Sequence, residues 1–235
     1  TQNGFWREAP SLEDVDPNLI NVLIAYEDKR FWTHHGVDPL AVLRAAIEYV
    51  RNGKISSGAS TLTMQTVRLI DPSLAKRTIV TKIRQMAEAI RLDAHWSKNE
   101  ILEAYFTLAP YGGNIEGINA ATEAWFQKTP KDLRLNEIAM LVALPQSPER
   151  RRPDRFPDAA FEAKKVVLQK VQAKLKINDT ALREALSEQL PARLAKPRSY
   201  APHLADRRTG SKNSHTNTSI NAEWQKQVQS IIETE

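Results

Sequence analysis

Asp16-Pro17-Asn18-Leu19-Ile20-Asn21-Val22-Leu23-Ile24-Ala25-Tyr26-Glu27 opens with a capping aspartate and a proline at the first helical position, and its Ile20, Leu23 and Ile24 recur at helical spacing. The pattern predicts a helix running to about Glu27. Glu27 follows Leu23 by four residues and Ile20 by seven, so its carboxylate falls on the apolar stripe at the helix end. Burial there raises a carboxyl pKa toward the range where it can take a proton from a sugar hydroxyl at neutral pH, which makes Glu27 a candidate general base. The stripe alone favours a blander reading, a glutamate paired with Lys29, Arg30 or another cation at a frayed helix end.

Outward from this segment the same devices recur. Asp38-Pro39 starts a second helix with Leu40, Leu43, Ile47 and Val50 as its stripe and Gly53 as its C-terminal cap. The small-residue loop Ser56-Ser57-Gly58-Ala59-Ser60 leads into Thr61-Leu62-Thr63-Met64-Gln65, with Ser60 placed to cap a third helix. Ile79, Ile83, Met86 and Ile90 mark a fourth. Ser97-Lys98-Asn99-Glu100 is a capping box opening a fifth, whose apolar face is Ile101, Leu102, Tyr105 and Phe106. Leu135 to Leu144 is apolar almost all round, hence a buried helix stopped by Pro145.

Alternating strand patterns are scarce, so the fold class is mainly α. After Arg150-Arg151-Arg152-Pro153 the character shifts. Phe161, Leu168, Val171 and Leu175, then Leu182 to Leu194, predict two amphipathic helices, and Thr209 to Ser219 is a polar stretch. The expected organisation is a main domain over 1–156, a helical extension over 157–198 and a polar linker over 199–235. No internal repeat is present.

The 235 residues suffice for one sizeable core, and 41% hydrophobic with 26% charged residues is ordinary globular composition. A net charge of +5 and a pI near 9.4 point to an anionic partner: nucleic acid, an acidic membrane surface or a phosphate-bearing substrate. The basic residues are scattered and match no nucleic-acid module, which ranks that reading last. With no cysteine there is neither a disulfide nor a thiol nucleophile. No run of about 18 apolar residues occurs, and the chain reads as a fragment of something longer whose anchor would lie outside it.

The chemistry-bearing strings converge on one family. Glu27-Asp28-Lys29-Arg30-Phe31-Trp32-Thr33-His34-His35-Gly36-Val37-Asp38 resembles the first signature of glycosyltransferase family 51, and Ser57-Gly58-Ala59-Ser60-Thr61-Leu62-Thr63-Met64-Gln65 resembles the second, in matching order and spacing. Lys82 to Lys98 is similar to the third signature and its continuation, and Lys98-Asn99-Glu100-Ile101-Leu102-Glu103-Ala104-Tyr105 to the fourth. Tyr111-Gly112-Gly113, Glu116-Gly117-Ile118 with Ala120-Ala121, and Leu141 to Pro148 complete the series over roughly residues 1–156. The branch most resembled is the class A penicillin-binding proteins of the 1C type, and Ser219 to Gln225 is similar to the linker that precedes a transpeptidase domain there.

The resemblance implies a lysozyme-like helical glycosyltransferase domain outside the cytoplasmic membrane. It would transfer a growing glycan from its lipid pyrophosphate to the 4-hydroxyl of an incoming lipid-linked disaccharide (lipid II). Glu27 would be the base. Ser60 and Thr61, at a helix start, would cradle the pyrophosphate. Arg68, Arg77 and Lys82 match positions that hold it in the family, with Gln65, Arg44 and Gln85 in the same cleft; without the family match these would read as solvated charge.

The third signature usually carries a second glutamate where this chain has Gln85. The family's carboxylate there implies a Mg2+ or Mn2+ cofactor, but an amide cannot bind a divalent cation as a carboxylate can, so no metal ligand is assigned. Of His34 and His35, one is expected to pack or hydrogen-bond in the Glu27 loop. The Ser73-Leu-Ala-Lys76 spacing is taken as chance. Implied partners are lipid II, the growing strand, the outer leaflet of the membrane and a covalent transpeptidase domain, with no nucleic acid. Trp6, Phe31, Trp32, Ile55 and Leu69-Ile70 are the candidates to face the membrane. A lysozyme-type hydrolase and a lipid II-binding module without turnover are the rival readings.

Overall fold

The computed structural model describes residues 10–52, 60–76 and 78–195, apart from the side chains of Tyr49 and Asn52. Among these residues the regular structure is helical: α1 (Pro17–Glu27), α2 (Pro39–Asn52), α3 (Leu62–Ile70), α4 (Ile79–His95), α5 (Lys98–Leu108), α6 (Ile118–Phe126), α7 (Leu135–Ala143), α8 (Pro157–Leu175) and α9 (Asp179–Ser187). Short 3-10 turns at Leu12–Asp14, Pro72–Ala75 and Leu144–Gln146 link them, and the β content is two isolated bridges. The mainly α class is thereby confirmed.

The capping chemistry starts the helices where the sequence places them. Asp16 accepts the N–H of Asn18 at 2.8 Å, with Pro17 in the first turn of α1. Asp38 accepts the N–H groups of Leu40 and Ala41 at the start of α2, both at 3.1 Å. Ser97 and Glu100 form the reciprocal capping box of α5. The cap of α3 is one residue later than expected: Thr61, not Ser60, accepts the N–H of Met64 at 3.1 Å. Gly53 lies outside the described residues.

The main core forms where α7 meets α1 and α8, a helix apolar on all faces enclosed by neighbours. Leu19, Val22 and Leu23 of α1, Ile138 to Leu144 around α7, and Val167, Leu168 and Val171 of α8 are all buried in it. Lys164 is wholly buried too; its ammonium donates to the carbonyls of Ala185 and Glu188 and so holds the end of α9 against α8. A smaller cluster of Val37, Met64, Val67, Leu74 and Ala89 joins α3 to α4.

The apolar stripes of α2 and α4 point largely outward, with Met86 alone of the α4 set packed against the smaller cluster. Leu40, Leu43, Ile47 and Val50 of α2 are exposed, Val50 to 84%. On α4, Ile79, Ile83 and Ile90 are exposed, while Thr81, Gln85 and Ala89 face the core. Periodicity shows that a helix has an apolar face, but not that anything covers it.

Candidate active site

Glu27 is the last residue of α1, half-buried, and the residue after it ties the site together. Asp28 is the C-terminal cap of α1. It is buried, accepts Nε2 of His34 at 2.9 Å and accepts the N–H of Leu62 at 2.8 Å, which fixes the start of α3 to the end of α1. His34 thus takes the role expected of one histidine in this loop. Thr61 donates its hydroxyl to the carbonyl of Gly36 at 2.6 Å. Gly36 has φ +76°, and a Cβ there would sit 2.2 Å from the carbonyl oxygen of Ala89, so only glycine lets the loop close on α4. Lys98 donates to the carbonyl of His34 at 2.7 Å and pairs with the buried carboxylate of Asp93.

With both helix ends fixed, α3 presents Gln65 to Glu27. Its Nε2 donates to Oε2 of Glu27 at 2.9 Å. The other oxygen, Oε1, accepts Nε2 of Gln146 from the turn after α7 at 2.5 Å. Arg151 in turn holds Gln146 Oε1 at 2.9 Å and the carbonyl of Ala143 at 2.7 Å. The carboxylate is therefore held between two amides, with no cationic partner among the described residues. Arg30 goes instead to Asp38, a two-pronged pair at 2.7 and 3.0 Å, which overturns the helix-end pairing as an account of Glu27.

The surrounding phenols feel the same charge. Tyr105 is held well above the ordinary tyrosine value by burial first and then by Glu27 and Tyr111, against Arg68. Tyr26 is raised by burial and Glu27, against its hydrogen bond with Gln146 and the charge of Arg151. Both hydroxyls stay protonated through the neutral range.

Arg68 lies one turn beyond Gln65 on α3. Lys82 on α4 is lowered from the ordinary lysine value by burial and then by Arg68, and its ammonium donates to the hydroxyl of Ser60. Gln65 thus meets Glu27 directly, and Arg68, on the same helix, adjoins Lys82, which in turn holds Ser60. Three expected site residues stand differently. The hydroxyl of Thr61, 2% exposed, is used up between Gly36 and the helix cap and is not offered to a ligand. Gln85 is buried and donates its amide to the carbonyl of Leu74, away from the cleft. Arg44 stands on the exposed face of α2 beside Leu40, Leu43 and Ile47. Arg77 lies outside the described residues.

Gln146 and Arg151 went unassigned in the sequence, although Leu141 to Pro148 stood out there as a motif; Pro145, which ends the buried helix, is the signal that places Gln146 at its mouth. Among the described residues no three His, Cys, Asp or Glu side chains converge, and Gln85 spends its N–H on a backbone carbonyl. These residues therefore build no all-protein cation cage, and no metal ligand is assigned among them. The arrangement can take a proton at Glu27 and hold negative charge at Arg68 and Lys82.

A family model described as Transglycosylase matches residues 1–172. Penicillin-binding protein 1C of Escherichia coli (strain K12) is 47% identical over 169 residues, 72% of this chain and 22% of that protein. Penicillin-binding protein 1A of the same organism is 38% identical over 173 residues, 72% of this chain and 20% of that protein. The crystal structure of penicillin-binding protein 1A from Haemophilus influenzae has a TM-score of 0.50 at 19% identity, covering 90% of this chain and 22% of that one, and shows the fold alone. The chain spans about a fifth of the length of the curated relatives it matches. On the family match over most of its length, the chain belongs to the transglycosylase family, the peptidoglycan glycosyltransferase domain of class A penicillin-binding proteins.

Proposed function

We propose that this chain polymerises lipid II into glycan strands, with inversion at the sugar carbon and release of undecaprenyl pyrophosphate. The reading rests on Glu27, held by Gln65 and Gln146, with Arg68, Lys82 and Ser60 adjoining it. Glu27 takes the proton of the acceptor 4-hydroxyl as its oxygen bonds to the sugar carbon. The bond from that carbon to the pyrophosphate oxygen breaks, and the leaving group departs with the electron pair toward Arg68 and Lys82. Arg77 is proposed to extend this basic wall.

A hydrolase would have no use for that basic pair. Gln85, turned from the cleft, favours a second reading in which the domain binds lipid II without turnover.

No described helix is long and apolar enough to cross a membrane. The exposed faces of α2 and α4, with Trp32 at 53% and Ile70 at 47% exposure, support contact with the outer leaflet of the cytoplasmic membrane. Phe31, also a candidate, is fully buried, Leu69 packs against the core, and Trp6 and Ile55 lie outside the described residues. An extracytoplasmic site, a membrane anchor and a covalent transpeptidase domain in the full-length protein complete the proposal.

The test is incubation of the chain with lipid-linked disaccharide pentapeptide, with and without Mg2+ or Mn2+, alongside Glu27→Gln. Polymer from the parent and none from the variant, at unchanged helix content, is the expected result, and the metal arms decide the cofactor. Polymer from Glu27→Gln would remove Glu27 as the base; binding without polymer from the parent would establish the binding module instead.

A further inference from the structure

Lys29, Lys170 and Lys174 gather at the C-terminal end of α1, on the side packed against α8. Lys174 donates to the carbonyl of Ala25 at 2.5 Å, and the ammonium of Lys170 stands 4.2 Å from the centre of the Tyr26 ring. Lys170 and Lys174 share a face of α8, one turn apart, and Lys29 lies two residues beyond the end of α1, after its cap Asp28. The Lys174 ammonium is lowered to about 8, by burial first, then by hydrogen bonding with and repulsion from Lys29, then by Lys170. Among the described residues no carboxylate pairs with any of the three.

One lysine is enough to meet the exposed carbonyls and the negative end of a helix, and Lys174 does so for α1. Two further ammonium groups at the same place only repel it, which a bound anion would relieve. The cluster also adjoins the catalytic carboxylate. The Tyr26 ring carries Lys170 on its face while its hydroxyl bonds with Gln146, which donates to Oε1 of Glu27. Gln65, which donates to the other oxygen, Oε2, shares α3 with Arg68, whose charge reaches Lys82.

We propose that Lys29, Lys170 and Lys174 form a subsite for carboxylates on the peptide of the glycan substrate, a reading that rests on the polymerising function proposed above. The diphosphate is already met by Arg68 and Lys82. Lysines are compact point charges on flexible stems, suited to an anion that moves with a peptide, whereas an arginine fork fixes a planar anion in one orientation. A lipid surface is disfavoured because the longer exposed apolar stripes, Leu40, Leu43, Ile47, Ile79 and Ile83 among them, stand on α2 and α4, while α8 exposes only Phe161 and Val166 of its large apolar side chains.

The test compares Lys29→Gln/Lys170→Gln with the parent on two substrates, the lipid-linked disaccharide with its peptide and the same lipid without it; the double variant keeps the Lys174 bond to Ala25. For the peptide-bearing substrate the KM should rise roughly threefold to tenfold, the scale of two exposed ion pairs. The kcat and the peptide-free KM should hold, and Lys29→Arg/Lys170→Arg should restore the parental value. An equal rise on both substrates, no rise, or a loss of binding to anionic phospholipid vesicles in place of the KM effect would overturn the subsite. An arm independent of turnover follows the Lys174 side chain by NMR during titration with a soluble disaccharide-peptide. Its pKa should climb toward the ordinary lysine value on binding, and an unmoved Lys174 overturns the subsite even in an active enzyme. Movement in a chain that makes no polymer would uphold the subsite and remove the polymerising function.

Discussion

Gln146 holds one oxygen of Glu27 and is itself held by Arg151, so its amide aims the carboxylate. Gln146→Ala should lower kcat by roughly tenfold to a hundredfold, the scale of a misplaced reacting group, with little change in melting temperature. A steady-state assay beside a thermal melt checks both. Lys82 carries a prediction in pH. Its pKa is lowered by burial and Arg68, so the ammonium proposed to meet the diphosphate is present below that depressed value and lost as pH rises through it, earlier than for an ordinary lysine. The same group costs the fold some stability at neutral pH, recovered as pH rises past the folded pKa. In a profile of kcat/KM against pH, the alkaline fall should come below the usual lysine range, and Lys82→Arg should move it upward. An unmoved limb would assign the fall to another group.

At the scale of elements, caps were legible and partners were not. Asp16-Pro17, Asp38 and the Ser97–Glu100 box each act within one helical turn, so a few consecutive residues specify them. The cap of α3 slipped from Ser60 to Thr61 because neighbouring hydroxyls compete and the contact with Gly36, distant in sequence, selects between them. The apolar stripe of α4 was legible as a stripe but turned largely outward, since Thr81, Gln85 and Ala89 are the residues buried on its inner side, Gln85 and Ala89 against Leu74 and α3. Ile83 is 61% exposed, so Ile83→Glu should change stability by no more than about 0.5 kcal/mol. It should weaken adsorption to phospholipid vesicles, measured by sedimentation. A large drop in melting temperature would mean that the stripe is covered in solution.

Across the whole molecule, α8 is tied to the helix that carries Glu27. Val167, Leu168 and Val171 are fully buried against the shared core of α1 and α7. Leu168→Ala should cost about 2–5 kcal/mol in a denaturant titration, as for other buried leucines, and lower activity through α1 although it lies outside the site. A loss below about 1 kcal/mol would show that α8 contributes little to that core. The helical class, the helix starts and Glu27 as the base candidate could be read from residues close together in the chain, because capping and periodicity are local interactions. The clamp on Glu27 could not: Gln65 and Gln146 reach it across 38 and 119 residues. Nor could the burial of Gln85, the engagement of the Thr61 hydroxyl, or the outward turn of α2 and α4. Each depends on which surfaces meet when the helices pack, and composition and spacing carry no record of a neighbour that arrives from elsewhere in the chain.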